Sequence, residues 1–184
     1  MQFLDMKTPY LELKEELDAA YFRFMDSGWY ILGPEVEKFE QIWAEYCGTS
    51  HCVGVSNGLD ALCLGLEAGG VKPGDEVIVP ANTYIASWLA VSQIGAIPVP
   101  VEPEEKTFNV DPARIEVAIT SKTTAIIAVH LFGTPADMNP IMQIAEKHHL
   151  FVLEDNAQAQ GAFYCGKRTG HLGHAAAFSF YPAK

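Results

Sequence analysis

The sequence is poor in basic residues, poor in charge overall, and has no long apolar run. Its 184 residues carry 12 Lys+Arg against 23 Asp+Glu, a formal charge of −11 at pH 7. A surface this acidic repels phosphate backbones and anionic lipid, which argues against nucleic acid and membrane partners. Any phosphate it binds must therefore be held by local backbone and dipole geometry. Charged residues make up 19% and hydrophobic residues 49%, which excludes a disordered or fibrous chain. Apolar runs such as Ala125–Val129 are too short to span a bilayer. The opening MQFLDMKTPY contains Asp5 and lacks the apolar centre of a signal peptide. Four cysteines (Cys47, Cys52, Cys63, Cys165) include no C-x-x-C pair, as expected of a reduced cytoplasmic protein. No G-x-G-x-x-G follows a strand and there is no Walker loop, so nucleotide cofactors of those classes lose support. His171 and His174 enclose a glycine with no cysteine nearby, and no metal site is expected.

What is present is an alternation of two periodicities. A first helix is expected from an N-cap at Thr8, with Leu13, Leu17, Ala20 and Phe24 on one face and Gly28 as its stop. A second runs from Pro34, with Val36, Phe39, Trp43 and Tyr46 on one side, and Gly48 ends it. Trp43 and Tyr46 read as core. Strands are then expected at Cys52–Val55, Glu76–Val79, Ile97–Val101, Ala125–His130, Leu150–Leu153 and Ala175–Phe180. Helices are expected at Asp60–Ala68, about Ile85–Ile94, Asp111–Ile119 and Asp137–His148. The strand runs do not alternate, as expected when both faces are covered. This pattern predicts a three-layer α/β sandwich with a mainly parallel sheet. We divide it into an N-terminal helical segment, 1–48, and an α/β domain, 49–184. The stop at Lys184, directly after a strand and a proline, leads us to expect the N-terminal part of something longer.

Three stretches carry candidate chemistry. Ser56-Asn57-Gly58-Leu59-Asp60 joins a strand to a helix, where a glycine lets the backbone approach a ligand and N–H groups favour an anion. Taken alone it reads first as an ordinary turn capped by Asn57 or Asp60. Glu154-Asp155 closes the most hydrophobic strand, at the end of a sheet where ligands bind. Asp155 could pair with a cation or simply cap a turn, and Gln158 could enter the same crevice or face solvent. Phe178-Ser179-Phe180-Tyr181-Pro182-Ala183-Lys184 presents one lysine after a proline turn. Desolvation would make that amine nucleophilic, and a surface lysine is the alternative.

Taken together, these parts are what is needed to hold pyridoxal phosphate. The whole chain resembles the DegT/DnrJ/EryC1/StrS sugar aminotransferases of fold type I. The resemblance rests on Ile31-Leu32-Gly33-Pro34-Glu35, Ser56-Asn57-Gly58, Pro73-Gly74-Asp75-Glu76-Val77 and Thr83-Tyr84-Ile85-Ala86-Ser87. It continues through Val129-His130-Leu131-Phe132-Gly133, Glu154-Asp155-Asn156-Ala157-Gln158-Ala159 and the Phe178–Lys184 ending. It implies the large domain of that fold, with the C-terminal part absent.

The resemblance also implies roles. Lys184 matches the lysine that carries the cofactor as an imine and then moves protons, a contribution of ~10²–10⁴-fold. Asp155 matches the carboxylate facing the pyridine nitrogen, and Tyr84 the aromatic stacked on the ring. Gln158 matches a residue packed near the ring and its phenolic oxygen. Ser179 and the amides around Gly58 and Leu59 match the phosphate site. Many relatives carry Thr where this chain has Leu59. Gln160 stands where His is expected, and His174 where Asp is usual after Leu172-Gly173. Relatives that dehydrate sugars carry His at the lysine position, so Lys184 favours amino transfer. The Asn57-Gly58-Leu59-Asp60-Ala61-Leu62 variant is most similar to the branch acting on 3-keto sugars. The implied reaction moves an amino group from glutamate to a nucleotide-linked keto sugar, a dTDP-3-keto-6-deoxyhexose, in a homodimer. The competing expectations are a non-catalytic fragment of this fold with a binding or assembly role, and a dehydratase or lyase on the same fold.

Overall fold

A computed structural model describes residues 4–182 and Lys184. The chain divides into two compact units. Residues 4–46 with Ser50–Gly54 form the first, and Cys47–Thr49, Val55–Pro182 and Lys184 the second.

The first unit is helical. Helices α1 (Lys7–Glu12) and α2 (Lys14–Ser27) replace the single helix expected from the apolar spacing. The break falls at Leu13 (φ −108°, ψ 13°). Thr8 lies inside α1 and is not its cap; Asp5 does that work, its Oδ1 accepting from the amides of Lys7 and Thr8. Gly28 ends α2 in the left-handed conformation (φ 63°), as a Cβ-free residue can. Neither helix contains a buried residue, and Leu17, Tyr21 and Phe22 are exposed. In α3 (Pro34–Cys47) the rings of Phe39, Trp43 and Tyr46 stack in sequence at 5.9 and 5.1 Å. Tyr46, read from sequence as core, is exposed. Residues 52–55, expected as a strand, are not one: among the described residues no strand pairs with the run to complete a ladder, and the Gly54 amide donates to Glu40.

The second unit is a five-stranded parallel sheet covered on both faces, the three-layer sandwich expected from the sequence. Its strands are β1 (Glu76–Pro80), β2 (Ile97–Val101), β3 (Thr123–Val129), β4 (Phe151–Asp155) and β7 (Ala175–Ala177), ordered β2-β1-β3-β4-β7. Prolines 98 and 100 are tolerated in β2 because it is an edge strand. A short hairpin, β5 (Phe163–Tyr164) and β6 (Lys167–Arg168), turns through Cys165 and Gly166, both at positive φ.

Side chains alternate across the inner strands. Val77, Val79, Ile127 and Leu153 form an apolar cluster with helices α4 (Gly58–Ala68) and α5 (Ile85–Gln93). Ile78, Ile126, Ala128 and Val152 form another with α6 (Pro112–Ala118) and α7 (Met138–His148). Asp111 caps α6 by accepting from the Ala113 amide, as its place before Pro112 predicts. The β1–α5–β2 and β3–α7–β4 connections run in opposite directions from the centre of the sheet. The carboxyl ends of the strands therefore open a crevice between the connections, the usual ligand position in such folds.

Candidate active site

The end of β4 puts two consecutive carboxylates on opposite faces. Val129 and Ala177 flank Asp155 in the neighbouring strands. Pleating turns Asp155 toward α5, with Leu153, and Glu154 toward α7, with Val152. Asp155 is 6% exposed. Its Oδ2 accepts from the Ser87 hydroxyl at 2.8 Å, and its Oδ1 from the Ala157 amide at 3.1 Å. Each oxygen keeps a lone pair. Beside it, the buried Asn156 amide makes no side-chain hydrogen bond among the described residues.

Past β7 the backbone leaves the sheet in an irregular run, so the expected strand to Phe180 stops at Ala177. The run ends in a turn in which the Lys184 amide donates to the Tyr181 carbonyl at 2.8 Å. The Lys184 ammonium lies 6.0 Å from the centre of the Tyr84 ring. Tyr84 is the N-cap of α5 and 68% exposed, so its ring is presented to the crevice. Ser87, three residues on, faces Asp155. One helix therefore carries both the aromatic and the group that holds the carboxylate.

A third element closes the group. Asn57 caps α4, its Oδ1 accepting from the Asp60 amide at 2.9 Å, and Asp60 in turn accepts from Ser56 and Asn57 side chains. Helix geometry leaves the first-turn amides of Gly58 and Leu59 without an intrahelical carbonyl. A Cβ on Gly58 would lie 2.9 Å from the Cβ of Ser179, so only glycine lets α4 approach the Ser179 turn this closely. Gln160 fixes that turn from below, donating to the Ser179 carbonyl at 2.6 Å. The Leu59 side chain packs into the apolar cluster, leaving only its amide toward the turn.

The remaining expected residue, Gln158, accepts the Phe132 amide on its Oε1 at 2.8 Å. It thereby holds the 3₁₀ turn Leu131–Gly133 after β3, where Phe132 is in the left-handed region (φ 55°) and 76% exposed.

On the other face, Glu154 is fully buried and saturated. Oε1 accepts the amides of Leu172 and Gly173, and Oε2 accepts the Gly170 amide and His130 Nε2. His130 Nδ1 accepts from the Ala136 amide, so the ring proton sits on Nε2 and is donated to Glu154. Burial pushes the Glu154 carboxyl up, but the His130 and backbone donors outweigh it and hold the group below its ordinary value. The network ties β4 to the loop that feeds β7. His174, where Asp was expected, fills that place by accepting the Val152 amide on Nδ1 and stacking on Phe151.

Sequence reasoning singled out Lys184, Asp155, Tyr84, Gly58 and Ser179, which the structure brings to the same end of the sheet. It gave no role to Ser87, Thr83, Gln160, His130 or Glu154. The signal available for Ser87 was its i+3 spacing from Tyr84, which puts both at the first turn of one helix.

The donor set fits pyridoxal phosphate. A glycine cradle with first-turn amides and a hydroxyl suits a phosphate without a general positive field. A carboxylate with unspent lone pairs suits a protonated ring nitrogen, and an exposed aromatic with an amine beside it suits the ring and aldehyde. Among the described residues no cluster of three or more His, Cys, Asp or Glu is placed to hold a metal ion.

Comparison with known proteins leads to the same family. A dTDP-3-amino-3,4,6-trideoxy-α-D-glucose transaminase of Streptomyces venezuelae is 57% identical over 99% of this chain and 48% of its own. A dTDP-3-amino-3,6-dideoxy-α-D-galactopyranose transaminase of Aneurinibacillus thermoaerophilus is 56% identical over 97% and 49%. The crystal structure of S. venezuelae DesV with a ketimine intermediate superposes with a TM-score of 0.96, at 56% identity, over 100% of this chain and 49% of that one. The chain spans about half the length of these relatives. The sequence profile of the DegT/DnrJ/EryC1/StrS aminotransferase family matches residues 11–184, and the chain belongs to that family.

Proposed function

We propose that this chain supplies the cofactor-binding half of the active site of a pyridoxal-phosphate-dependent nucleotide-sugar aminotransferase. The observation that carries the reading is the meeting, at one end of one sheet, of the Lys184 amine with the Tyr84 ring, beside Asp155 and the Gly58–Ser179 cradle. We read residues 49–184 as the cofactor-binding domain and 1–48 as a helical segment of distinct role.

In this reading the Gly58 and Leu59 amides and the Ser179 hydroxyl bind the phosphate. Tyr84 covers one face of the ring, and Gln158 bounds the crevice through its grip on Phe132. Asp155 keeps a proton on the ring nitrogen. When bound, pyridoxal phosphate supplies an electron sink for the pair left by a departing α-proton. Lys184 would hold the cofactor at rest and, once displaced, its amine would take the α-proton from the donor in one half-reaction and return a proton to the acceptor carbon in the other. Glutamate would give up its amino group in the first half-reaction. A dTDP-linked 3-keto-6-deoxyhexose would collect it in the second, the class of sugar that the two named transaminases make as amines. A lysine at position 184, not a histidine, favours this over dehydration.

Leu17, Tyr21, Phe22, Trp29 and Ile31 are all exposed, and large apolar side chains left exposed in such number support a homodimer. We assign the protein to the cytoplasm. Among the described residues there is no disulfide, and no helix is long and apolar enough to cross a membrane.

The test is direct. The purified full-length protein, given pyridoxal phosphate, should acquire a visible absorption band that borohydride bleaches. With glutamate it should aminate a panel of dTDP- and GDP-linked keto sugars, favouring the dTDP-3-keto compounds. Lys184→Ala should lose both properties. Retention of the band and of amino transfer by that variant would overturn the assignment, and release of water or cleavage in place of amination would move it to a dehydratase or lyase.

A further inference from the structure

Asp155 is gripped by one backbone amide and one side chain, and the side chain comes from helix α5. Ser87 is the third residue of α5 and 0% exposed. A buried hydroxyl in a helix usually turns back to a carbonyl in the preceding turn. This one instead reaches across 68 positions of sequence to Asp155 Oδ2, at 2.8 Å. Its second partner is the Thr83 hydroxyl, 3.0 Å away. The polarity of the chain follows from the carboxylate, which only accepts. Ser87 must donate to Asp155, so Thr83 must donate to Ser87. The Ala157 amide fixes Oδ1 from within the same loop. The two donors, one per oxygen, set the plane of the carboxylate and leave one lone pair on each oxygen for a ligand.

The same first turn also presents Tyr84. A shift of α5 would therefore move the aromatic and the carboxylate donor together, keeping their spacing constant.

We propose that Thr83 and Ser87 form a hydroxyl relay that orients the Asp155 carboxylate toward the cofactor ring, making Ser87 a positioning residue of the site. This rests on the reading of the site as one for pyridoxal phosphate. A donor to a charged acceptor strengthens with its neighbour's polarisation, so Thr83 acts only through Ser87. Alanine at position 87 suits a helix and leaves a small void.

The experiment is a double-mutant cycle on cofactor affinity, measured by titrating the full-length apoprotein with pyridoxal phosphate. Ser87→Ala should weaken binding by about tenfold, the low end for losing a hydrogen bond to a charged group. On an Asp155→Asn background the same substitution should cost less than about twofold, because the acceptor it serves has changed. Thr83→Val should cost about two- to fivefold in the wild-type background and nothing measurable on Ser87→Ala. Equal losses from Ser87→Ala in both backgrounds would reduce Ser87 to a packing residue and overturn the proposal. So would wild-type affinity in Ser87→Ala. A wild-type protein that takes up no cofactor would overturn the reading of the site itself. A wild type that binds well while Ser87→Ala is silent would overturn only the relay.

Discussion

Glu154 and Asp155 are adjacent in sequence, equally buried to the eye, and carry the same functional group, yet the fold uses them in opposite ways. Glu154 has four donors converging on it, three of them backbone amides, and no lone pair faces open space. Asp155 has two donors and a crevice in front of it. The half-turn of the strand pleat makes the difference, sending one carboxylate into the α7 layer and the other to the mouth above α5. A saturated buried anion is a structural tie, because every donor it holds would be stranded without it. A half-occupied anion at a strand's carboxyl end keeps lone pairs for a ligand, the part proposed for Asp155.

The largest effect that can break this comparison is on Glu154. Glu154→Gln keeps the shape, but its NH₂ group must face N–H donors whichever way the amide is turned. We expect a loss of about 3–5 kcal/mol in unfolding free energy, the range for removing one partner from a buried charged network. Urea unfolding followed by circular dichroism checks it, and a loss below about 1 kcal/mol would mean the network is not a tie. The sign of the pH effect is also fixed. The folded carboxyl sits below its ordinary value of 4.5, so its stabilisation is complete above that pH and is lost as pH falls through the folded value. Unfolding midpoints measured below pH 4.5 should therefore fall with acid in the wild type, and fall less steeply in Glu154→Gln.

Asp155→Asn should show the reverse balance. Its two donors can still be served by the amide oxygen and a rotated hydroxyl, so apoprotein stability should change by less than about 1 kcal/mol. Amino transfer in the full-length enzyme should fall by about 10²–10³-fold, as when one preorganised electrostatic group is removed from a reacting centre. Steady-state kinetics beside the same urea curves would read both. A variant that melts early but turns over normally would erase the contrast with Glu154.

Much of this arrangement was legible in the sequence because strands buried on both faces announce themselves as unbroken apolar runs. The run expected at Glu76–Val79 is β1, buried from its second residue on, and Asp155 could be placed at a strand's end from the run before it. Gly58 was legible as a close approach, and Lys184 as the sole amine after the last strand. What was not legible depends on partners far away in the chain. The spacing from Tyr84 puts Ser87 in the first turn of the same helix, but its acceptor lies 68 residues on, where no local pattern reaches. The run at 52–55 has strand composition, but a strand needs a neighbour and among the described residues this one has none. The hairpin at 163–168 is two residues per strand, too short to leave a period, though the Cys165-Gly166 pair at positive φ is what such a turn requires. His130 and Glu154 could each be seen, but their pairing across 24 positions follows from strand register alone.

The smallest test sharpens the comparison from a third position. Leu59 stands in the first turn of α4, where the resemblance leads us to expect a threonine hydroxyl beside the phosphate. Its side chain instead packs into the apolar cluster on the α5 face, so this chain has given the position to packing and leaves only an amide for the phosphate proposed there. Leu59→Thr exchanges the two uses. Losing part of a leucine's burial should cost about 1 kcal/mol, read as a drop of a few degrees in melting temperature. A hydroxyl donor on a phosphate should tighten cofactor binding by about three- to tenfold. If affinity is unchanged while stability falls, the cradle is complete with Gly58, Ser179 and the two amides. If affinity rises as stability falls, the position trades one for the other, as Glu154 and Asp155 divide those tasks between two residues.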